Sequence, residues 1–261
     1  MSHFYVRSGD SYLAQESTAG PWGKELQHGG PVAALLATRI ERAAGCDATK
    51  RISQCALEFL SPVPVATLDV TTEVLRPGKK IAFWSARASV GGRDVARMTA
   101  WVLSAAEGRS PLVHLEDAPP PPMPATAVET YFTSVPRFPY GDALEWRFAE
   151  GAFTESGPAT VWARLRGGIV EGEDVSPLAR LLAMVDSANG VSAELDLGTY
   201  LFVPVNLTVV LARLPATEWT CMAAKTSMST DGVGLTRAHL YDERGAIGEA
   251  LQSLFVERRP A

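Results

Sequence analysis

The segment that decides the fold is Ser176–Val191, which reads S-P-L-A-R-L-L-A-M-V-D-S-A-N-G-V. Ser176 followed by Pro177 predicts a helix N-cap and the first helical residue, and Asn189-Gly190 predicts the helix end. The apolar residues of one helix face are Leu178, Leu181, Leu182 and Val185. The next position on that face is Asp186, where an unpaired carboxylate would cost several kcal/mol. We therefore expect Asp186 to be paired, hydrogen-bonded, beside a wet cleft or raised in pKa.

The same helix is written twice in the chain. Residues 31–40 read P-V-A-A-L-L-A-T-R-I, and residues 177–186 read P-L-A-R-L-L-A-M-V-D. Ile40 of the first copy stands where the second copy carries Asp186, so the acid is specific to the second copy. The copies are much too far apart for a solenoid repeat, and this spacing predicts two copies of one domain.

The composition excludes several classes of protein. The chain has 261 residues, of which 46% are hydrophobic and 20% charged, and its net charge is −5. Neither the charge nor any basic run favours a nucleic-acid partner, and no segment is long and apolar enough to span a membrane. The N-terminus lacks the pattern of a signal peptide, so we expect a soluble, cytoplasmic protein. Cys46, Cys55 and Cys221 lack C-x-x-C spacing, which predicts reduced thiols rather than a disulfide or a zinc site.

Strand-like segments surround both helices. In the first half, two short strands within 3–27 precede a helix at 31–44, and strands follow near 51–59, 67–75, 81–90 and 95–103. In the second half, strands near 144–148 and 160–166 and a loop at 167–174 precede the helix at 176–189, and strands follow near 202–211, 218–227, 234–241 and 246–256. This order predicts an α+β fold in which a curved antiparallel sheet wraps each helix. We predict an N-terminal unit at 1–113, a Pro-rich linker at 114–140 and a C-terminal unit at 141–261.

The last strand carries a second polar residue on an otherwise apolar face. When the hairpin turn at 91–94 is aligned with the turn at 242–245, Trp101 of the first copy occupies the position that Gln252 has in the second copy. Gln252 shares its strand face with Ala250 and Leu254, so the second copy again has a polar group where the first has an apolar one. Because a strand can touch the helix that its sheet wraps, we expect Gln252 to approach Asp186 with a water between them.

Three segments then carry a resemblance to a known family. They are H-G-G-P-V-A-A-L-L at 28–36, R-I-S-Q-C-A-L-E-F-L-S-P-V at 51–63 and D-G-V-G-L-T-R-A-H-L-Y-D-E-R-G-A-I-G-E-A-L-Q-S-L-F-V at 231–256. Together they resemble the double hotdog acyl-CoA thioesterases of the thioesterase II-like group. The resemblance implies two fused units whose sheets pair edge to edge into one long sheet. It also implies hydrolysis of a fatty acyl-CoA to free acid and CoA in lipid metabolism, with no cofactor, by an enzyme that can form a homodimer of double hotdog units.

The resemblance also implies a catalytic set. In that family an Asp on the second helix, a Thr or Ser on the following strand and a Gln on the last strand orient the attacking water. The Asp corresponds to Asp186 and the Gln to Gln252. The hydroxyl position falls near Pro204, which has none, and counting along the strand puts Asn206 and Thr208 on the same face as substitutes. The expected catalytic residues are therefore Asp186, Gln252, Thr208 and Asn206.

A second polar feature lies at the start of the first helix. His28, Gly29 and Gly30 predict a substrate-binding site, because glycines at a helix start leave backbone N–H groups open to a thioester oxygen. A tight turn with an exposed histidine explains the same motif equally well. With only four histidines in the chain we expect no metal site.

Two functions stay open at this point. A non-catalytic protein that binds acyl-CoA is favoured by the loss of the hydroxyl at Pro204, whereas hydrolysis is favoured by the retention of Asp186 and Gln252. The related hotdog hydratases have a histidine a few residues after the Asp, but the fifth residue after Asp186 is Val191, which argues against a hydratase.

Overall fold

The structure is a computed structural model that describes residues 2–111, 119–128 and 131–259. The first half contains the helix α1 (Gly29–Ala44) and the strands β1 (His3–Ser8), β2 (Ser11–Ala14), β3 (Lys50–Phe59), β4 (Thr67–Arg76), β5 (Ile81–Val90) and β6 (Arg93–Ser104). The helices of the second half are α2 (Pro139–Asp142), α3 (Pro177–Val185) and α4 (Ala188–Val191). Its strands are β7 (Leu144–Glu150), β8 (Ala159–Leu165), β9 (Gly168–Val170), β10 (Tyr200–Pro204), β11 (Asn206–Leu211), β12 (Thr220–Met228), β13 (Val233–Asp242) and β14 (Gly245–Arg258).

One long sheet holds all of these strands. Its order is β7-β8-β12-β13-β14-β11-β3-β6-β5-β4-β2-β1-β9, and β10 also pairs with β14. The halves meet where β11 pairs antiparallel with β3, with Thr208 opposite Ala56. This pairing hides two strand edges that would otherwise be open to another chain. The predicted α+β double hotdog architecture, with two sheets joined edge to edge, is confirmed.

The helices α1 and α3 pack against each other in opposite directions in the centre of the molecule. The end of α1 meets the start of α3, where the Ser176 hydroxyl donates to Glu41 Oε2 at 2.6 Å. The start of α1 meets the end of α3, where a Cβ on Gly30 would collide with the main-chain oxygen of Ala183. The absence of a side chain at Gly30 therefore allows the two helices to approach closely. This crossing brings the two copies of the repeated segment into contact.

The predicted start of the second helix is confirmed, whereas the first helix begins at Gly29, before the predicted start at residue 31. His28 is the N-cap of α1, and Gly45, with φ of 63°, ends that helix in the left-handed region. Ser176 caps α3 by accepting a hydrogen bond from Ala179 N at 3.0 Å. The predicted end of the second helix at Asn189 is wrong, because α3 stops at Val185 and Asn189 lies in the separate short helix α4.

The predicted loop at 167–174 contains the short strand β9. β9 runs parallel to β1, with His3 opposite Gly168 and Tyr5 opposite Val170. Its residues Ile169 and Val170 are each 2% exposed, so their burial against the first-half core explains the pairing. A strand from the second half thus forms the outer edge of the first-half sheet. The unit boundaries at 113/114 and 140/141 stay predictions, and residues 112–118 and 129–130 of the linker region lie outside the described residues.

The single strand predicted at 202–211 is divided in two. Pro204 pairs with Leu254, whereas Thr208 pairs with Leu251, so one extra residue is accommodated between β10 and β11. That residue is Val205, which follows a proline that has no N–H to continue the ladder. The first half has a matching irregularity in β3, between Ile52 and Gln54.

The hairpin alignment that matched Trp101 to Gln252 is off by one residue. Each hairpin has an irregularity close to its turn, after which Ala88 pairs with Ala96 in one and Leu240 with Gly248 in the other. Counting four residues on from Ala96 and Gly248 matches Gln252 to Ala100, which is fully buried. Trp101 instead faces the other side of the sheet and stacks on Phe83, with ring centroids 4.5 Å apart. The second copy therefore still has a polar residue, Gln252, where the first copy has an apolar one, but that apolar residue is the small Ala100 rather than Trp101.

Cys46, Cys55 and Cys221 are free thiols, two of them buried. Within the described ranges, no three His, Cys, Asp or Glu side chains are grouped so that they could hold a metal ion. No helix in the described part of the chain is long and apolar enough to cross a membrane.

Candidate active site

The carboxylate of Asp186 lies at the junction of three elements. Asp186 follows the last residue of α3 and is 2% exposed. Its Oδ1 accepts a hydrogen bond from Gln252 Nε2 of β14 at 3.1 Å, and the main-chain N–H of Gly29 at the start of α1 also donates to the carboxylate. Its Oδ2 lies 3.4 Å from Nδ1 of His28. The sequence prediction that Asp186 and Gln252 approach each other is confirmed, although they contact directly rather than through a water.

Burial raises the pKa of Asp186 to about 7, and the hydrogen bonds from Gln252 and Gly29 offset part of that rise. A carboxyl group with such a pKa exists in both protonation states near neutral pH. It can therefore accept a proton from water and give it up again, which is what a general base requires.

The amide of Gln252 also forms hydrogen bonds with main-chain atoms at the junction between α3 and α4. Its Nε2 donates to the main-chain oxygen of Asp186 at 3.1 Å, and its Oε1 accepts from Asn189 N at 3.2 Å. The Asn189 side chain in turn donates to the main-chain oxygen of Phe202 at 3.1 Å. These bonds satisfy backbone groups that a continuous helix would have paired internally. This explains why the helix does not reach Asn189.

His28 is held as a neutral imidazole beside Asp186. Its Nδ1 accepts a hydrogen bond from Gly30 N at 3.1 Å, and the main-chain N–H of His28 donates to Thr18 O at 2.8 Å. Burial lowers the pKa of His28 to about 3. Since Nδ1 is an acceptor, the single proton of the neutral ring belongs on Nε2.

The two glycines after His28 do not leave open N–H groups as the sequence predicted. The Gly29 N–H is used by Asp186 and the Gly30 N–H by His28. Gly29 itself is required by space, because a Cβ there would collide with the Phe59 ring and with Oδ2 of Asp186. The glycines therefore position Asp186 and His28 rather than presenting free donors.

A cleft of about 450 Å³ opens beside these residues. That volume lies within the range of roughly 300–1,000 Å³ that is typical of small-molecule sites. Its walls are mostly apolar, and Arg259 is a cation among them. The lining residues include His28, Gly29, Phe59, Asp186, Asn189 and Pro204.

Asn206 and Thr208 are not brought to this cleft. The buried residues of β11 are Leu207 and Val209, so Asn206 and Thr208 face the opposite side of the sheet. Asn206 Oδ1 there accepts from Ser253 N at 2.9 Å. The extra residue at Val205 reverses the alternation after Pro204, so counting by twos along an unbroken strand gave the wrong face. The expectation that either residue replaces the missing hydroxyl is corrected accordingly.

Tyr140 is a site residue that the sequence analysis missed. It comes from α2 and its ring stacks on His28, with centroids 3.7 Å apart and planes 7° from parallel. Its hydroxyl lies 2.7 Å from Ala183 O and 2.7 Å from Ser187 Oγ, on either side of Asp186 in sequence. No motif surrounds Tyr140, and Pro139 at the start of a short helix was the sole signal that the sequence offered.

A chain of buried hydroxyls lies behind Gln252. Thr236 is the cross-strand neighbour of Gln252, and its Oγ1 lies 2.8 Å from that of Thr226. Thr226 Oγ1 in turn lies 2.8 Å from Ser192 Oγ. The polar residues on this part of the inner sheet face are therefore hydrogen-bonded to one another, as buried polar groups generally are.

Comparison with known proteins shows which family and which folds this chain is similar to. Residues 18–103 match the family model of the acyl-CoA thioesterase N-terminal domain, and residues 115–256 match that of the C-terminal domain. No curated protein matches the chain. Among solved structures, a candidate thioesterase from Novosphingobium aromaticivorans is 24% identical with a TM-score of 0.73, over 97% of this chain and 98% of that one. The acyl-CoA thioesterase II TesB2 from Mycobacterium marinum is 16% identical with a TM-score of 0.67, over 97% and 94%. A hot dog fold protein from Alicyclobacillus acidocaldarius is 15% identical with a TM-score of 0.68, over 98% and 96%.

Proposed function

Because the chain belongs to the acyl-CoA thioesterase family, whose members are thioester hydrolases, we propose that it hydrolyses a fatty acyl-CoA with Asp186 as the general base. One observation carries this proposal: the Asp186 carboxylate is buried, directly bonded to Gln252, and lines a ligand-sized cleft. The substrate is an acyl-CoA and the products are a free fatty acid and CoA.

The reaction needs a base for water and a path for the proton. Asp186 in its ionised form accepts a proton as the water oxygen attacks the thioester carbon. The C–S bond then breaks, the CoA sulfur leaves as a thiolate, and the proton on Asp186 passes to that sulfur. Because burial places the pKa of Asp186 at about 7, both steps are feasible near neutral pH.

Gln252 acts in this scheme by orienting the base. Both ends of its amide are already bonded, to Asp186 and to Asn189 N. The carboxylate is thereby fixed before substrate arrives, which lowers the reorganisation needed at the moment of reaction. The water is therefore held mainly by Asp186, and His28 and Gly29 form part of the adjoining wall where the substrate binds.

The second candidate is a protein that binds acyl-CoA without hydrolysing it. It is favoured by Pro204, which provides no hydroxyl, and by the outward orientation of Asn206 and Thr208. This function keeps the cleft but does not require a base. The two candidates differ in a single observable, the release of free thiol.

The test is a thiol-release assay on the purified full chain with a panel of acyl-CoAs from short to long, in which a disulfide dye reports CoA. We expect hydrolysis by the wild type and a loss of about 10²-fold or more in Asp186→Asn. Asp231→Asn, at an exposed turn position, is the matched control and should retain full activity. Tight binding of acyl-CoA without thiol release would favour the second candidate, and equal activity in Asp186→Asn would move the base elsewhere.

A further inference from the structure

The thioester oxygen needs a hydrogen-bond donor in this site. Negative charge develops on that oxygen when water attacks, and a fixed donor there is a large part of most such catalysis. Gly29, Gln252 and His28 make polar contacts with the Asp186 side chain. The N–H groups of Gly29 and Gln252 donate hydrogen bonds to Asp186 itself, and the N–H of Gly30 donates to His28. His28 lines the cleft, and its Nε2 makes no hydrogen bond to a described residue, so this ring nitrogen is available to a ligand.

We propose that His28 binds the thioester oxygen through its Nε2–H, and that Tyr140 is the positioning residue that holds His28 in this orientation. This inference rests on the proposed thioesterase reaction. His28 and Asp186 line the same cleft, with 3.4 Å between Nδ1 and Oδ2. When a water activated by Asp186 attacks the thioester carbon, the carbonyl oxygen of the thioester is therefore within reach of the imidazole. The Nε2 proton stays on His28 throughout, and only a hydrogen bond forms.

The tautomer follows from the helix start. Gly30 N is 3.1 Å from Nδ1, a normal hydrogen-bond distance, whereas Oδ2 of Asp186 is outside the usual 2.7–3.2 Å range for such bonds. Nδ1 is therefore the acceptor for Gly30, and the proton of the neutral ring is on Nε2. A backbone N–H at a helix N-terminus is fixed by the helix, so this assignment does not depend on a mobile side chain.

Tyr140 fixes the plane of that ring. Its phenol ring lies nearly parallel to the imidazole at 3.7 Å, so His28 cannot rotate about χ2 without losing the stack. Tyr140 is in turn anchored by its N–H to Ala19 O at 3.0 Å and by its hydroxyl to Ala183 O at 2.7 Å. The hydroxyl also contacts Ser187, next to Asp186. The Tyr140 side chain thus contacts both His28, the proposed donor, and the junction of α3 and α4 next to Asp186, the proposed base.

A direct test is the tautomer of His28 in the folded protein. The chain has four histidines, so long-range ¹H–¹⁵N spectra of labelled protein contain few signals, and His28→Asn identifies the one that matters. We expect an unprotonated Nδ1 and a protonated Nε2 in the wild type and in Tyr140→Phe, which keeps the stacked ring. Tyr140→Leu should show a mixture of the two tautomers. A wild-type His28 with its proton on Nδ1, or charged at neutral pH, would overturn the proposal.

A kinetic test separates positioning from simple support of the fold. His28→Phe keeps a stacked ring and removes both nitrogens, so kcat should fall by about 10²-fold while KM changes less than about threefold. His28→Gln places an amide N–H near the lost Nε2 and should recover part of the rate. Tyr140→Leu should lower kcat by about tenfold, and Tyr140→Phe should stay within about threefold of the wild type.

Phe83→Leu is the control, since Phe83 is an aromatic residue that stacks on Trp101, with ring centroids 4.5 Å apart, on the same outer side of the sheet as Trp101. It should retain the wild-type kcat. Thermal unfolding of each variant shows whether it is folded under the assay conditions, so that a lower kcat is not caused by unfolded protein. Wild-type kcat in folded His28→Phe, or in folded Tyr140→Leu, would contradict the proposal.

Failure here is distinguishable from failure of the proposed function. If the wild type releases no CoA from any acyl-CoA, the thioesterase proposal fails, and a ketone analogue of acyl-CoA then tests His28 by itself. In that complex the Nε2–H proton signal of His28 should move downfield and should not do so in Tyr140→Leu. An unchanged signal with saturating analogue, or no binding of it, would overturn the role of His28.

Discussion

The Nε2 of Gln252 lies 3.1 Å from both the carboxylate Oδ1 and the main-chain oxygen of Asp186. A single side chain on the last strand therefore fixes the base and also the end of the helix that carries it. Removal of this amide should lower both the stability of the protein, because backbone groups lose their partners, and the rate of the reaction, because the carboxylate loses its orientation.

The first prediction concerns the pH dependence of the reaction. Because Asp186 must be ionised to act as a base and burial raises its pKa to about 7, kcat/KM should rise with pH and level off above about 7. Initial rates from pH 5 to 9 in a buffer of constant ionic strength measure this. An acid limb near 4, the ordinary range for an exposed carboxyl group, would exclude Asp186 as the base.

The second prediction concerns stability against pH. The pKa of Asp186 is raised by folding, so its contribution to stability is present at low pH and is lost as pH rises from about 4 to about 7. The pKa of His28 is lowered by folding, so its contribution has the opposite sign and is lost as pH falls from about 6.5 to about 3. In the wild type the two dependences oppose each other over their shared range.

Single variants should uncover each dependence. Asp186→Asn should become more stable as pH rises from 4 to 6.5, and His28→Gln should become less stable as pH rises from 4 to 7. Thermal unfolding at fixed ionic strength measures both trends relative to the wild type. Parallel pH profiles for all three proteins would show that neither group titrates in the folded state as described.

The third prediction concerns Gln252. Gln252→Ala leaves the main-chain oxygen of Asp186 and the N–H of Asn189 without their partner, which should cost about 1–3 kcal/mol of unfolding free energy. The variant should still fold, because the first half carries Ala100 at the matching position. Its kcat should fall by about tenfold or more, since the carboxylate loses its orientation.

Gln54→Ala is the matched control, because Gln54 pairs with Trp101 in β3–β6 and lies away from Asp186. Denaturant unfolding and thiol release measure the two effects separately. Gln252→Trp should be strongly destabilising, since a large ring would replace a residue that is 1% exposed. A stable Gln252→Trp would show that the space around Gln252 can accommodate a large ring.

The sequence predicted the parts of this site that regular periodicity controls. Asp186 was found because it interrupts an apolar helix face, and Gln252 because it interrupts an apolar strand face. Both features depend only on local alternation, which survives in the fold. The repeated segment predicted that two similar units exist, and the sheet order confirms it.

Irregular backbone explains what the sequence did not predict. The extra residue at Val205 turned Asn206 and Thr208 away from the cleft, and the bonds of Gln252 ended α3 early. Neither event has a local signature, because each depends on a partner strand that is distant in the chain. Tyr140 was missed for a similar reason, since its role arises from contacts with two remote segments.

The last prediction concerns Gly29, which lies between the Phe59 ring and the Asp186 carboxylate. Gly29→Ala places a methyl group where both side chains already are, so either Phe59 or Asp186 must move. We expect a loss of about 1–3 kcal/mol in unfolding free energy and a fall in kcat larger than the change in KM. Gly168→Ala is the control, because a Cβ there has neighbours at 3.7 Å or more and should change neither quantity. Phe59→Leu combined with Gly29→Ala should recover part of the stability by making room for the methyl group. If the double variant regains stability but not kcat, the displaced group is Asp186, and the close contact at Gly29 is part of how the base is held.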